Sequence, residues 1–438
     1  MSQELTTIAQ KVLELCKQGG ATATEVNVSR GEGFTVSSRN AQVETVEHEA
    51  DKSVHITLYK GQSKAAVSST DFSDAALKRS VDKALTIAAY TAADEFAGLA
   101  DPDQMATDLP DLDLYHPWDI TPEQAIETAI ALESAALANP GITNSEGANV
   151  GTRRGETVYA NSHGFVGAVQ GTRHNMSCAV IAGQGEHMQR DYWYTAGRNK
   201  NDMIAAVKVG EIAARRAVER LNPRQIPTGE YRVLFDPQHA RGIWRSLISA
   251  LYGSALYRGS SFLIDSLGEQ LFPEFITLEE RPLEMGWAGS SAFDGDGVAR
   301  QQRKIIENGV LTGYILSTYS GRRLGMPTTG NAGGTSNLIV DAPSESFESL
   351  LKQMDKGLLV TETMGHGGSA TTGDFSTGVA GFWVENGEIQ YPVSEITVAG
   401  NSREVFKRIV GVGSDVDTTG AMRTGSLLIE SMAVAGAS

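Results

Sequence analysis

Cysteine is nearly absent from this sequence: Cys16 and Cys178 are the only two, and they stand far apart. Two thiols cannot build a disulfide framework or a four-cysteine metal site, and they suit a reducing compartment. Long apolar runs are missing as well. Nowhere do 18 apolar residues follow one another, and the opening MSQELTTIAQKV has no apolar core of the secretory type. The expected location is the cytoplasm. Basic residues are in deficit, 37 against 53 acidic, with a pI near 5.0. That balance argues against a broad nucleic-acid surface, while leaving room for one local basic patch. Two catalytic signatures are also missing: no G-x-x-x-x-G-K-[ST] for a phosphate, and no G-x-S-x-G for a serine nucleophile.

What the chain does have is glycine, concentrated from Met364 to Tyr391. In MGHGGSATTGDFSTGVAGFWVENGEIQY, Gly365, Gly367, Gly368, Gly373, Gly378, Gly381 and Gly387 stand among small hydroxyl residues, with no lysine. Such a segment permits positive φ and close backbone approach. It ends in two alternating strands joined by Asn386-Gly387, a strong hairpin signal. One reading is a set of tight turns between strands of a β-rich domain. The other is a cleft floor presenting His366, Asp374 and Ser376 beside exposed backbone donors.

A chain of 438 residues suggests two to four domains. The N-terminal helix, Gln3 to Gln18, carries Leu5, Ile8, Val12 and Leu15 or Cys16 at helical spacing, which makes Cys16 a core residue. Strands are predicted around 24–29, 33–38, 42–47, 53–59 and 64–69, before a helix capped by Ser73. This first module spans residues 1–93. Residues 94–120 are rich in Asp and Pro and read as a linker lying across the surface. A second module, 121–225, opens with a capping box at Thr121 and Gln124. Its strands are expected at 141–154, 156–161, 165–173 and 176–181, with a helix over 201–221. The two modules share the order helix, strands, helix, consistent with a duplication. Residues 226–438 read as a β-rich domain containing a helix from Asp236 to Tyr252 and another over 344–356. The expected class is α+β.

The stretch GHGGSATTGDFSTGVAGFWVENGEI, Gly365 to Ile389, resembles the signature of the TldD/PmbA family, bacterial and archaeal proteins tied to a cytoplasmic metallopeptidase. Phe293-Asp294-Gly295-Asp296-Gly297, Ile306-Glu307-Asn308-Gly309-Val310-Leu311 and Thr329-Gly330-Asn331 follow that family's order and spacing. Ser426-Leu427-Leu428-Ile429 resembles the PmbA branch, also called TldE, and Ser38-Arg39-Asn40-Ala41-Gln42-Val43-Glu44 resembles the family's first domain.

The resemblance implies an H-E-x-x-x-H motif on the helix after Asp236 in the catalytic TldD branch. Two histidines would ligate zinc, the glutamate would act as general base, and a C-terminal cysteine would complete the site. An ungapped comparison, anchored on Leu251, Gly253 and Gly259-Ser260-Ser261, sets Trp244, Arg245 and Ser249 at those positions. Tryptophan offers no lone pair to a metal, and arginine is a fixed cation. No cysteine lies in the C-terminal domain. His239 reads as a surface or capping residue and His163 as a turn residue. His48 and His55 are seven apart and would fall on opposite faces of one strand. Asp294 and Asp296 are expected to shape the turns at Gly295 and Gly297.

The implied protein is a non-catalytic PmbA/TldE-type subunit with no metal of its own, its zinc carried by a TldD-type partner. Unfolded peptides are the implied substrates, and self-association in isolation is compatible with this. Gly365, His366, Gly373, Asp374 and Ser376 are the cleft candidates, without a chemical role. The alternative is a regulatory binding protein of the gyrase-modulator type, acting through protein contacts.

Overall fold

Leu5, Ala9, Val12 and Cys16 recur on one side of the first helix and are all fully buried. The computed structural model describes residues 3–365 and 367–436. Helix α1 (Gln3–Gln18) is followed by strands β1 (Ala23–Arg39), β2 (Gln42–Lys60) and β3 (Ser63–Ser69), then α2 (Asp74–Tyr90). Ser73 caps α2 through its side-chain oxygen, as its sequence position predicts. The same order then repeats as α3 (Pro122–Leu137), β4 (Ile142–Asn161), β5 (Val166–Ala182), β6 (Gln189–Gly197) and α4 (Ala206–Glu219). The capping box of Thr121 and Gln124 is formed.

The strands are longer than the sequence signals predict, because β1, β2, β4 and β5 run unbroken through their expected breaks. Gly31, in the break expected between 29 and 33, and Gly33, expected to open a strand, both lie in mid-strand where β4 passes closely. A Cβ on Gly33 would overlap the Thr152 carbonyl. The polar stretch 48–52 stays extended because β1 pairs with it throughout, from Phe34↔His48 to Arg30↔Lys52.

One antiparallel sheet joins the two repeats, in the order β3-β2-β1-β4-β5-β6. The central β1–β4 pair runs from Glu25↔Asn161 to Ser38↔Ala148, with Gly31 opposite Gly155 near its middle. On one face, α1 and α2 cover Val26, Val28, Val54 and Ile56 at one end of the strands. At the other end α3 and α4 cover Val36, Ala148, Val150 and Met176. The segment between the repeats is stitched down along its length. Ala106 N donates to Gly297 O (3.1 Å), Gly286 N to Leu112 O (2.8 Å) and Thr172 N to Leu114 O (2.9 Å). Leu99, Met105, Leu112 and Leu114 are buried beneath it.

The C-terminal part contains β7 (Gly229–Phe235), α5 (Pro237–Leu251), α6 (Gly253–Tyr257), β8 (Thr277–Arg281), β9 (Arg303–Glu307), β10 (Val310–Leu311) and α7 (Thr318–Leu324). It continues with β11 (Asn337–Asp341), β12 (Ser344–Glu345), α8 (Phe347–Met354), β13 (Gly357–Met364), β14 (Asp374–Glu385) and β15 (Glu388–Asn401). It ends with α9 (Ser402–Lys407), β16 (Ile409–Gly413), β17 (Met422–Arg423) and β18 (Leu427–Ala435). Strands β7, β13, β14, β15 and β18 close on themselves, because β18 pairs with both β15 and β7. Closure removes free edges from this ring. A second sheet has the order β10-β9-β8-β11-β17. Both Asn-Gly hairpins stand where the sequence places them, with Asn308 at φ 48° and Asn386 at φ 55°. Helices α6, α7 and α9 are too short to show a periodic pattern, which is why the sequence does not announce them. The apolar side of α5 joins Val233, Phe235, Val360, Val379 and Leu427 in one core. The architecture is α+β. Among the described residues, no helix is long and apolar enough to cross a membrane.

Candidate functional site

Helix α5 follows β7 directly and starts at Asp236, whose carboxylate accepts from the His239 amide (2.9 Å) and meets His239 Nδ1 (2.6 Å). His239 thus belongs to the cap. Trp244 is 0% exposed. Its ring stacks on Phe272 at 5.4 Å, and Phe272 stacks on Phe406 at 4.7 Å. The indole Nε1 donates to Thr424 Oγ1 at 3.1 Å. Side chains advance 100° per residue along a helix, so Gly242, Arg245 and Ser249 fall together on the side opposite this core. Arg245 is exposed and Ser249 half-buried. An indole, a guanidinium and a single hydroxyl do not suit zinc. Among the described residues, no three His, Cys, Asp or Glu side chains cluster as a metal ion would require.

The two rims of this strip are fixed by polar contacts. On one, Arg241 pairs with Asp417 (2.9 Å) and donates to Met422 O (3.1 Å). On the other, Ser246 Oγ lies 2.9 Å from Ser402 Oγ. The amide of Ser402 in turn donates to Gly373 O (2.7 Å), which brings the glycine-rich hairpin to this rim. Strands β13 and β14 pair as far as Met364↔Gly378, and the hairpin continues beyond them.

Within that hairpin, Ser376 N donates to Gly367 O (3.1 Å) and Ser369 N to Asp374 O (2.8 Å). Gly365 and Gly373 have φ of +85° and +81°, which side chains rarely adopt. Phe262 N donates to Ala370 O (3.0 Å), tying the tip to the body of the domain. Asp374 Oδ1 accepts from Asn401 Nδ2 at 2.8 Å. Hydrogen bonds from Asn401 and Thr372 hold its carboxyl below the usual range. Of the five cleft candidates, Gly365, Gly373, Asp374 and Ser376 lie together in this hairpin, and His366 lies outside the described residues.

The sequence reading missed the residues that fix this region against the central repeat. Asp191 on β6 is 3% exposed and accepts from Arg216 Nε (3.3 Å) on α4 and from Arg220 Nη1 (3.4 Å) at the helix's C-cap. Arg220 also pairs with Glu362 on β13, and Arg216 donates to Thr361 O (3.2 Å). On the opposite rim Arg173 donates to Thr419 O (3.0 Å), and Tyr194 Oη lies 3.3 Å from Thr419 Oγ1. No local pattern marks these side chains, because their partners are remote in sequence.

The other motif residues hold turns. Asp294, 3% exposed, accepts from the amides of Asp296 (2.9 Å), Val298 (3.0 Å) and Ala332 (2.8 Å). Burial, and then the charge of Asp296, push its pKa up to about 6. Asn331 donates to Glu280 (2.9 Å) and accepts from Arg303 (2.8 Å) inside a buried network.

The PmbA/TldA metallopeptidase family matches this chain in three consecutive parts: domain 1 over residues 24–88, the central domain over 115–221 and the C-terminal domain over 228–436. The chain is 46% identical over 425 residues to Metalloprotease PmbA of Escherichia coli O157:H7, covering 97% of this chain and 94% of that one. A Bacteroides thetaiotaomicron protein described as a candidate modulator of DNA gyrase has a crystal structure similar to this one. The TM-score is 0.94 at 28% identity, over 100% of both chains. TldE from Thermococcus kodakarensis shares the fold, with a TM-score of 0.83 at 20% identity over 98% of this chain and 100% of that one. With all three domains matched and the likeness running almost end to end, this chain belongs to the PmbA (TldE) branch of the TldD/PmbA metallopeptidase family.

Proposed function

We propose that this chain is the non-catalytic subunit of a heteromeric zinc metallopeptidase of the cytoplasm, and that a TldD-type partner carries the zinc and the general base. The observation that carries this reading is Trp244. At the position where the resemblance puts the first zinc-ligating histidine stands a fully buried indole, stacked on Phe272 and bonded to Thr424. Removing it from the core to admit a ligand would open a large cavity.

The substrates are unfolded or flexible peptides, lying as extended strands against the glycine-rich hairpin beside the open strip of α5. Main-chain pairing recognises such peptides without demanding one sequence, and glycine-rich backbone lets them approach closely. This chain supplies cleft wall and positioning, with no chemical step assigned to its side chains.

The experiment is hydrolysis of an unstructured peptide by this chain, by a TldD-type subunit and by their mixture, with zinc quantified in each. Cleavage by the mixture alone, with zinc following the partner, is the expected result. Cleavage by this chain alone would overturn the assignment. A regulatory reading is favoured by the description of the Bacteroides relative. Recovery of gyrase subunits and no TldD-like chain in a pull-down would support it instead.

A further inference from the structure

Between Gly242 and Ser249, the open strip of α5 carries one charge, Arg245. Among the described residues it has no hydrogen bond, ion pair or aromatic face. Every other arginine of residues 226–436 rests on a carboxylate, a carbonyl or an aromatic ring. The chain has 53 acidic residues to 37 basic ones, so carboxylates to satisfy it are plentiful. One turn before it, a Cβ on Gly242 would meet nothing within 4 Å, so the surface beside the guanidinium is open.

We propose that Arg245 anchors a carboxylate of the bound peptide, either its C-terminus or an Asp or Glu side chain. The inference rests on the reading that peptides lie along the α5 strip. A guanidinium presents its N–H donors as a planar fork that matches the two oxygens of a carboxylate, and it stays charged at any physiological pH. Asp417, the carboxylate at the rim, is already paired with Arg241, which leaves the Arg245 guanidinium to pair with an incoming anion. The hairpin opposite supplies main-chain contacts that read no side chain, so Arg245 gives the strip its polarity and its preference among peptides.

The test uses the full-length chain, alone and with a TldD-type subunit, and four labelled unstructured peptides of one sequence. They carry a free or amidated C-terminus and Asp or Asn at one internal position, and binding is followed by fluorescence anisotropy. The wild-type chain is expected to bind one carboxylate form about tenfold more tightly than its neutral counterpart. Arg245→Gln should lose that preference while still binding the neutral peptide, and Arg245→Lys should keep part of it. The matched pair that shows the preference identifies the carboxylate as terminal or side-chain.

Equal binding of all four peptides by wild type and variant would overturn the anchor and leave the strip reading standing. Failure of every peptide to bind, with or without the partner, would overturn the strip reading itself. If Arg245→Gln weakens assembly with the TldD-type subunit in sedimentation and leaves peptide preference unchanged, the guanidinium pairs with that subunit and the anchor is wrong. A thermal melt of Arg245→Gln matching wild type verifies that an exposed side chain was removed without unfolding.

Discussion

The Glu133 carboxylate and the Asn40 amide stand 2.8 Å apart, a bond that joins α3 of the second repeat to the β1–β2 hairpin of the first. Glu133 is 0% exposed and also accepts from Ala41 N and Ser38 Oγ, each at 2.9 Å. Asn40 and Ala41 hold φ of 53° and 57°, left-handed values that an L-residue adopts at a cost. The Ser38–Glu44 motif is therefore a turn held from outside by a buried carboxylate.

Glu133→Ala would leave the turn amides and the Ser38 hydroxyl without their acceptor. Unfolding in urea should show a loss of about 2–4 kcal/mol. A loss within error of zero would mean that solvent replaces the carboxylate and that the hairpin does not depend on α3.

Trp244→Ala is expected to cost about 3–5 kcal/mol, through lost stacking and the cavity left behind. Trp244→Phe keeps a ring against Phe272 and gives up the bond to Thr424, so its loss should be near 1 kcal/mol. Chemical denaturation of both variants separates packing from hydrogen bonding. An Ala variant as stable as wild type would contradict a core role for the indole.

Asp294 should impose a pH slope on stability. An acid raised from 3.8 in the unfolded chain to about 6 in the folded one holds its proton more tightly when folded. Its contribution is therefore full below about pH 4 and is lost as pH rises through about 6. The stability of wild type minus that of Asp294→Asn should be greater at pH 4 than at pH 7, by on the order of 1–3 kcal/mol. A difference that is flat or rises with pH would refute the burial argument.

Both thiols should be inert in the native protein. Burial raises Cys16 to about 11 and Cys178 to about 12, so little thiolate forms at pH 8. An aromatic disulfide reagent should leave both untouched until denaturant is added, after which both react. Rapid labelling of native protein would show that one of the two helix-covered cores opens readily.

Much of the fold is legible locally. Ser73 and the Thr121/Gln124 pair cap their helices, Asn308-Gly309 and Asn386-Gly387 turn their hairpins, and Cys16 faces the core. Each depends on residues within a few positions of one another, which is the range over which propensity acts. The break expected between residues 29 and 33 fails because Gly31 and Gly33 answer to a neighbouring strand and not to a turn. Four of the five cleft candidates share one hairpin because they are close in sequence.

The sequence by itself determined the helix caps and the Asn-Gly turns, pointed to the repeated order of helix, strands and helix, and set an indole, a guanidinium and a hydroxyl at positions 244, 245 and 249 of α5. Only the tertiary structure decided that β1 and β4 fuse the repeats into one sheet and that β18 closes the ring against β7. It also decided that Asp191, Arg220 and Glu362 lock β13, the strand that leads into the glycine-rich hairpin, to the central repeat. The strand pairings and the Arg220–Glu362 contact join segments more than a hundred residues apart. Periodicity and capping describe a segment and its near neighbours, whereas which buried carboxylate meets which amide is fixed only when the whole chain has packed.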